Sequence, residues 1–371
     1  MPLSLLQANF SLTTACGSGP FFRAALWWRR AWIAAAFFAA LLGTACGVPG
    51  EPLPPLLEIP QPVNDLSATQ IGSQVRLMWS RPLLTTEGTR AQELDRMEIY
   101  GVFLPAGTNS QNFPEQAQLL ATVRAEDIPN ETPVVHELAL ASSHIGLKAF
   151  FAIKATNSRG KDAGFSNVVS LDIANLPEAP GKLQATLTEK AVVLGWEPAE
   201  RSAFGGPSPQ PDGYQVYRAE AQSPQAAEMI GAIEAPRYED ASFAFGHTYV
   251  YFIRAFVKQQ DSVAITPPSN SAEVIAADRF PPAAPQNIRA VATLGVVEIV
   301  WSANMEADLA GYNVYRSEEV GFAKINQEPL PIPLFRDTVL QAGIRYRYHI
   351  RAVDKAGNES VPSEETSVTA E

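Results

Sequence analysis

Val192-Val193-Leu194-Gly195-Trp196 puts Val192, Leu194 and Trp196 on one side of an extended segment, because side chains alternate along a strand. The same pattern stands at Val75, Leu77 and Trp79, and again at Val297, Ile299 and Trp301. Thirteen residues before each tryptophan lies an aliphatic residue: Leu66, Leu183 and Ile288. A second segment follows each tryptophan, reading Met97-Glu-Ile-Tyr100, Tyr214-Gln-Val-Tyr217 and Tyr312-Asn-Val-Tyr315. A later one reads Phe151-Ala-Ile153-Lys-Ala155, Tyr251-Phe-Ile253-Arg-Ala255 and Tyr348-His-Ile350-Arg-Ala352. Ser166 and Ser363 each lie eleven residues after the closing alanine, while Ser269 lies fourteen after its own, so the second copy is looser. One unit is used three times. Short alternating segments with closely spaced turn residues, and no helical period, predict an all-β sandwich for each copy.

These residues resemble the fibronectin type III family. The marks are a proline-led first strand, a tryptophan on the second, a Tyr-x-Val-Tyr third strand and a glycine-then-serine close. Tyr249 and Tyr346 stand where that family's tyrosine corner belongs, whereas the first copy has Ala149. The resemblance implies three tandem fibronectin type III-like (immunoglobulin-like) β-sandwiches over residues 63–175, 176–277 and 278–371. Trp79, Trp196, Trp301, Tyr249 and Tyr346 are then expected in the cores. Proline clusters at Pro177–Pro180 and Pro281–Pro285 mark short, stiff links between copies.

Composition narrows the function. Of 371 residues 46% are hydrophobic, so cores can form, and the formal charge is −11. An acidic chain without clustered Lys and Arg is a poor nucleic-acid binder. Four histidines and two cysteines leave little for a zinc site or a disulfide framework.

Residues 1–45 carry Arg23, Arg29 and Arg30 and no acid. An apolar run, Ala31 to Leu42, and the small residues Gly43-Thr44-Ala45 lead to Cys46. A basic region, a short apolar core and small residues read as a secretory signal. The ending resembles the bacterial lipobox, although Gly43 stands where that family prefers Leu. The resemblance implies cleavage before Cys46, a covalent lipid on its sulfur, and anchorage in the cell envelope outside the cytoplasm. Gly47 leans toward an outer membrane where one exists. An uncleaved anchor and ordinary secretion remain open, since Ala31 to Val48 is uncharged over 18 residues. Residues 46–62 hold six prolines between Pro49 and Pro62 and read as a semi-rigid tether.

Sandwich modules vary their loops, and here the loop after the tryptophan varies most. Trp79 to Tyr100 and Trp196 to Tyr217 are each 21 residues, but Trp301 to Tyr315 is 14. In the second copy Arg201, Phe204, Gly205, Gly206 and Asp212 form a candidate contact patch. Two uses are open to it, a partner's surface or the joint with the first copy. No catalytic residue and no metal site is expected: nucleophile-elbow, dinucleotide and phosphate-loop motifs are absent. His136-Glu137 starts like a zinc-protease motif, but Leu140 stands where the second His belongs. His349, on a strand, is expected at the surface. No cofactor is expected beyond the lipid. The expected partners are the membrane, through that lipid, and an envelope protein or polysaccharide. A place as accessory subunit of a carbohydrate-active enzyme system is the alternative.

Overall fold

The computed structural model describes residues 57–111, 113–128, 133–260 and 262–371. The signal segment 1–45, Cys46 and the tether up to residue 56 lie outside the described residues. The first copy comprises β1 (Ser67–Ile71), β2 (Gln74–Trp79), β3 (Leu94–Pro105), a short helix α1 (Phe113–Gln116), β4 (Gln118–Arg124), β5 (Val134–Ala139), β6 (Leu147–Asn157), β7 (Asp162–Phe165) and β8 (Val169–Asp172). The second comprises β9 (Gly181–Leu187), β10 (Val192–Glu197), β11 (Gly213–Glu220), β12 (Glu228–Ile233), β13 (Arg237–Asp240), β14 (Thr248–Lys258), β15 (Val263–Ile265) and β16 (Ala272–Ile275). The third comprises β17 (Arg289–Thr293), β18 (Val296–Val300), β19 (Leu309–Ser317), β20 (Ala323–Lys324), β21 (Leu334–Asp337), β22 (Arg345–Asp354) and β23 (Thr366–Thr369).

Each copy sorts these strands into two sheets in one order. β1-β2-β5, β9-β10-β13 and β17-β18-β21 form the smaller sheets. The larger ones are β4-β3-β6 with β7 and β8 on β6, β12-β11-β14 with β15 and β16 on β14, and β20-β19-β22-β23. This is the fibronectin type III-like sandwich, three times over.

The alternating residues fill the space between the sheets. Val192, Leu194 and Trp196 face Tyr214, Val216, Tyr251 and Ile253, and the other copies repeat this with their own residues. Trp79, Trp196 and Trp301 are buried. At about 200 Å² each and about 25 cal/mol per Å², every tryptophan contributes roughly 5 kcal/mol before the entropy of ordering is subtracted. Trp196 and Trp301 meet Tyr214 and Tyr312 edge-on, with centroids 5.3 and 5.1 Å apart. Trp79 has Met97 there and donates its indole N–H to the sulfur at 2.8 Å.

The serines that mark each repeat sit where the last strand bends. Ser166, Ser269 and Ser363 accept the backbone N–H of Ile153, Ile253 and Ile350, and each donates to the carbonyl of its own successor. The hydroxyl thus replaces a ladder bond that the bend removes. Tyr249 and Tyr346 are buried and accept the N–H of Ala244 and Gln341 on their hydroxyls.

One expectation needs correction. The tether does not run free to residue 62: Gln61 N–H donates to the Leu84 carbonyl and Thr86 N–H to that of Ile59. An extended chain bonds through alternate residues, so Pro60, which has no N–H, fits between them.

Candidate functional site

The long connections after Trp79 and Trp196 fold into small ribbons. Thr85 N–H donates to Thr89 and Ser202 N–H to Gly206, with Gly88 and Gly205 turning the chain at φ 80° and 87°. Each ribbon grips the chain that enters its sandwich. The first holds residues 59–61; the second holds the link, with Glu178 N–H donating to Arg201 and Ala203 N–H to Leu176, at 2.8 and 2.9 Å. The shorter third connection has no such ribbon among the described residues.

The second ribbon also reaches the first copy. Phe204 packs against the first sandwich's core, at the position where the first ribbon has Glu87. Gly205 and Gly206 are exposed at the tip. The Arg201 side chain is exposed, and the Asp212 carboxylate accepts Lys258 N–H at 2.6 Å, tying two loops of its own copy. Beside Phe204 the other long loop supplies β15, which pairs in parallel with β1 at Ile71 and Ile265. Gly72 N–H donates to the Ile265 carbonyl at 2.9 Å. The larger sheet of the second copy therefore continues into the smaller sheet of the first. Ala174, Leu176 and Ala264 form an apolar cluster at this joint. Gln70, 1% exposed, donates to Ala174 O and accepts Ala174 N–H, both at 2.8 Å. A backbone bond costs little to align once both edges are preformed, and an unmade buried one is expensive. The joint, of the two uses open to the patch, is where Phe204 lies.

A buried ionic group recurs in the second and third copies. Asp240, 2% exposed, accepts Tyr251 O–H at 2.9 Å and Arg218 at 2.7 Å, while Arg218 lies over the Tyr249 ring. Asp337 does the same with Tyr348, Arg316 and the Tyr346 ring. Burial works against ionisation of Asp240, but bonds from Ser242, Tyr251 and Arg218 outweigh it and hold its pKa below the ordinary value. Burial, and then the neighbouring carboxylate, push the Tyr251 hydroxyl strongly upward. At the matching positions the first copy has Gly101, Leu138, Ala149 and Phe151, so the whole group is replaced by apolar or small residues together. The recurrence of Arg, Asp and two Tyr in two copies was a signal present in the sequence.

The histidine expectation fails. His349 is not at the surface but 6% exposed, stacked on Tyr315 at 4.9 Å and packed on Phe322 at 4.3 Å. Its strand position does point away from the core; Phe322, from the loop between β19 and β20, covers it. Burial, helped by the nearby Arg351 charge, lowers its pKa. The folded form resists protonation, so what this histidine contributes to the third copy is fully present above about pH 6.5 and is lost as pH falls through the lowered folded pKa. Melting curves at pH 7.5 and 5 should show the third copy's transition falling in wild type and falling less in His349→Phe. His136, His144 and His247 do not join it: His144 stacks on Phe103 and His247 meets Glu220.

Three carboxylates that no sequence spacing suggested also meet. Asp278, Asp308 and Asp354 have oxygens within 4.8 Å of one another. Asp354 is buried and accepts both the N–H and the side-chain amide of Asn358. Asp278 accepts Phe280 N–H. Both thus act within their own turns.

No protein-family model matches the chain. Over 202 residues it is 30% identical to Exoglucanase B of Cellulomonas fimi, covering 52% of this chain and 16% of that enzyme. Over 91 residues it is 38% identical to Amylopullulanase of Thermoanaerobacterium saccharolyticum, covering 24% and 7%. The chain spans less than a fifth of either relative. Among solved structures, the FN1–FN3 domains of chicken CNTN1 align over 84% of this chain and 99% of that one, at 15% identity and a TM-score of 0.27. The fold assignment rests on the strand order and not on that alignment.

Proposed function

We propose that this chain is a non-catalytic, lipid-anchored spacer and interaction scaffold outside the cytoplasm. The observation that carries the reading is the joint between the first two copies. A sheet continued by backbone bonds, with Phe204 packed against the neighbouring core, resists bending where a bare link would not. Rigidity of that kind suits a part that sets distance. Cys46 would supply the anchor and the proline-rich segment the reach. The buried carboxylates Asp240 and Asp337 fit the same reading, since both are held in structural bonds. The partner is an envelope protein or a polysaccharide. The partial matches to two enzymes favour a second reading, an accessory subunit of a carbohydrate-active enzyme system, because those matches cover only small parts of each enzyme.

Intact mass and detergent partition of wild type and Cys46→Ala from a bacterial host test the anchor. Wild type should begin at residue 46, carry acyl mass and enter detergent; the variant should lose both acyl mass and partition. A wild type without acyl mass contradicts the anchor. In-cell crosslinking to envelope proteins supports the first reading, and retention on insoluble glucan the second. Hydrolase turnover abolished by one side-chain change contradicts both.

A further inference from the structure

The outer face of the larger sheet carries the same cross-strand positions in each copy. Glu98 stands opposite Lys154 and Tyr100 opposite Ala152; then Gln215 opposite Arg254 and Tyr217 opposite Phe252; then Asn313 opposite Arg351 and Tyr315 opposite His349. A cation lies over a ring in each: Lys154 over Tyr100 at 5.6 Å, Arg254 over Phe252 at 5.9 Å and Arg351 over Tyr315 at 5.6 Å.

The first and third copies complete this face themselves. Each sends a phenylalanine back over it from the connection between the third and fourth strands. Phe113 packs with Phe150 and Ala152, and Phe322 packs on His349. Each also gives its cation a carboxylate, Asp162 for Lys154 and Glu359 for Arg351, both at 3.9 Å. Among its described residues the second copy supplies neither. Its connection, residues 221–227, reads Ala-Gln-Ser-Pro-Gln-Ala-Ala and holds no aromatic residue. Among the described residues, no carboxylate pairs with Arg254, which donates only to the Thr266 carbonyl. Met229, opposite Tyr217 on β12, is 54% exposed. Met, Tyr, Phe and Arg are the residue types enriched at protein interfaces.

We infer that this face of the second copy, centred on Met229, Tyr217, Phe252 and Arg254, docks a peptide segment of another protein that presents an aromatic side chain beside a carboxylate. The occupant's chemistry is what the sister copies place there, a ring and an acid. A sugar fits less well. Tyr217 and Phe252 stack 4.8 Å apart with planes at 6°, which is the spacing of neighbouring strands. The rings therefore stand upright and present edges, without the flat face on which a sugar stacks. The inference rests on the scaffold reading and names one surface for it.

The test pans a displayed random twelve-residue peptide library against the full-length chain, then compares binding to Met229→Ala/Arg254→Gln. The two side chains are at the sheet surface, and a melting curve checks that the variant folds. Enriched peptides should pair an aromatic residue with an acid within a few positions, and should bind the variant about tenfold or more weakly. Binders lacking that pair, binders indifferent to the variant, or no enrichment overturn the inference. Self-association of the chain that the variant abolishes overturns it too, in favour of a second copy. Envelope crosslinks that persist in the variant would remove this surface while leaving the scaffold reading in place.

Discussion

Asp240→Ala should lower the stability of the second sandwich by about 3–5 kcal/mol, because it strands Arg218 and the Tyr251 hydroxyl without their shared partner. Because the first two sandwiches melt as one unit, their shared calorimetric transition should fall by about 10 °C. The comparison that isolates the cause comes from the first copy, which has no ion at these positions. Replacing the group together, as Arg218→Met/Asp240→Leu/Tyr251→Phe, should cost less than the single change, since no charge is left buried and unpaired. A single variant as stable as wild type would mean the group is not ionised and bonded as described. The pH dependence follows the same logic. Asp240 has a folded pKa below its ordinary value of 3.8, so its contribution is present above about pH 3.8 and fades as pH falls below it. Wild type should therefore lose more second-sandwich stability below that pH than the triple variant does.

Gly72→Val should separate the first two copies. Gly72 has φ +58°, a conformation costing a β-branched residue roughly 1–2 kcal/mol. An added Cβ would also stand 3.2 Å from Pro267 Cδ, in the loop that carries β15. Val adds two further methyl groups to that contact. The N–H bond to Ile265 is made from this same residue, so strain falls directly on the link between sheets. In wild type the first two sandwiches should unfold in one coupled transition; in Gly72→Val they should unfold separately, with the first shifted downward. Calorimetry of the full chain reads both.

The strands were legible because alternation is local. Val192, Leu194 and Trp196 announce a buried face without any knowledge of what covers it, and the repeated serines and tyrosines announce the bend and the corner. The length of the second copy's loops was legible too, as was the pair of uses open to Phe204. What β15 pairs with was not. A three-residue strand joined by backbone bonds leaves no side-chain pattern, and its partner lies almost two hundred residues away. His349 shows a related limit. Its parity on β22 gives the direction correctly, but burial comes from Phe322, a loop residue whose path the spacing does not fix. The meeting of Asp278, Asp308 and Asp354 has the same origin, since each comes from a different loop or strand end.

The joint between the first two copies is what makes the chain a spacer, and the most direct measurement is the distance between the copies it links. Spin labels at the exposed positions Gln116→Cys and Lys190→Cys, in a chain with both native cysteines replaced, would report the first and second sandwiches. A second pair, Lys190→Cys and Glu364→Cys, would report the second and third. Electron–electron double resonance should give a single narrow distance for the first pair, broadened by Gly72→Val, and a wider spread for the second pair, whose joint has neither ribbon nor shared sheet among the described residues. A broad distribution for the first pair in wild type, unchanged by Gly72→Val, would contradict the joint and with it the spacer.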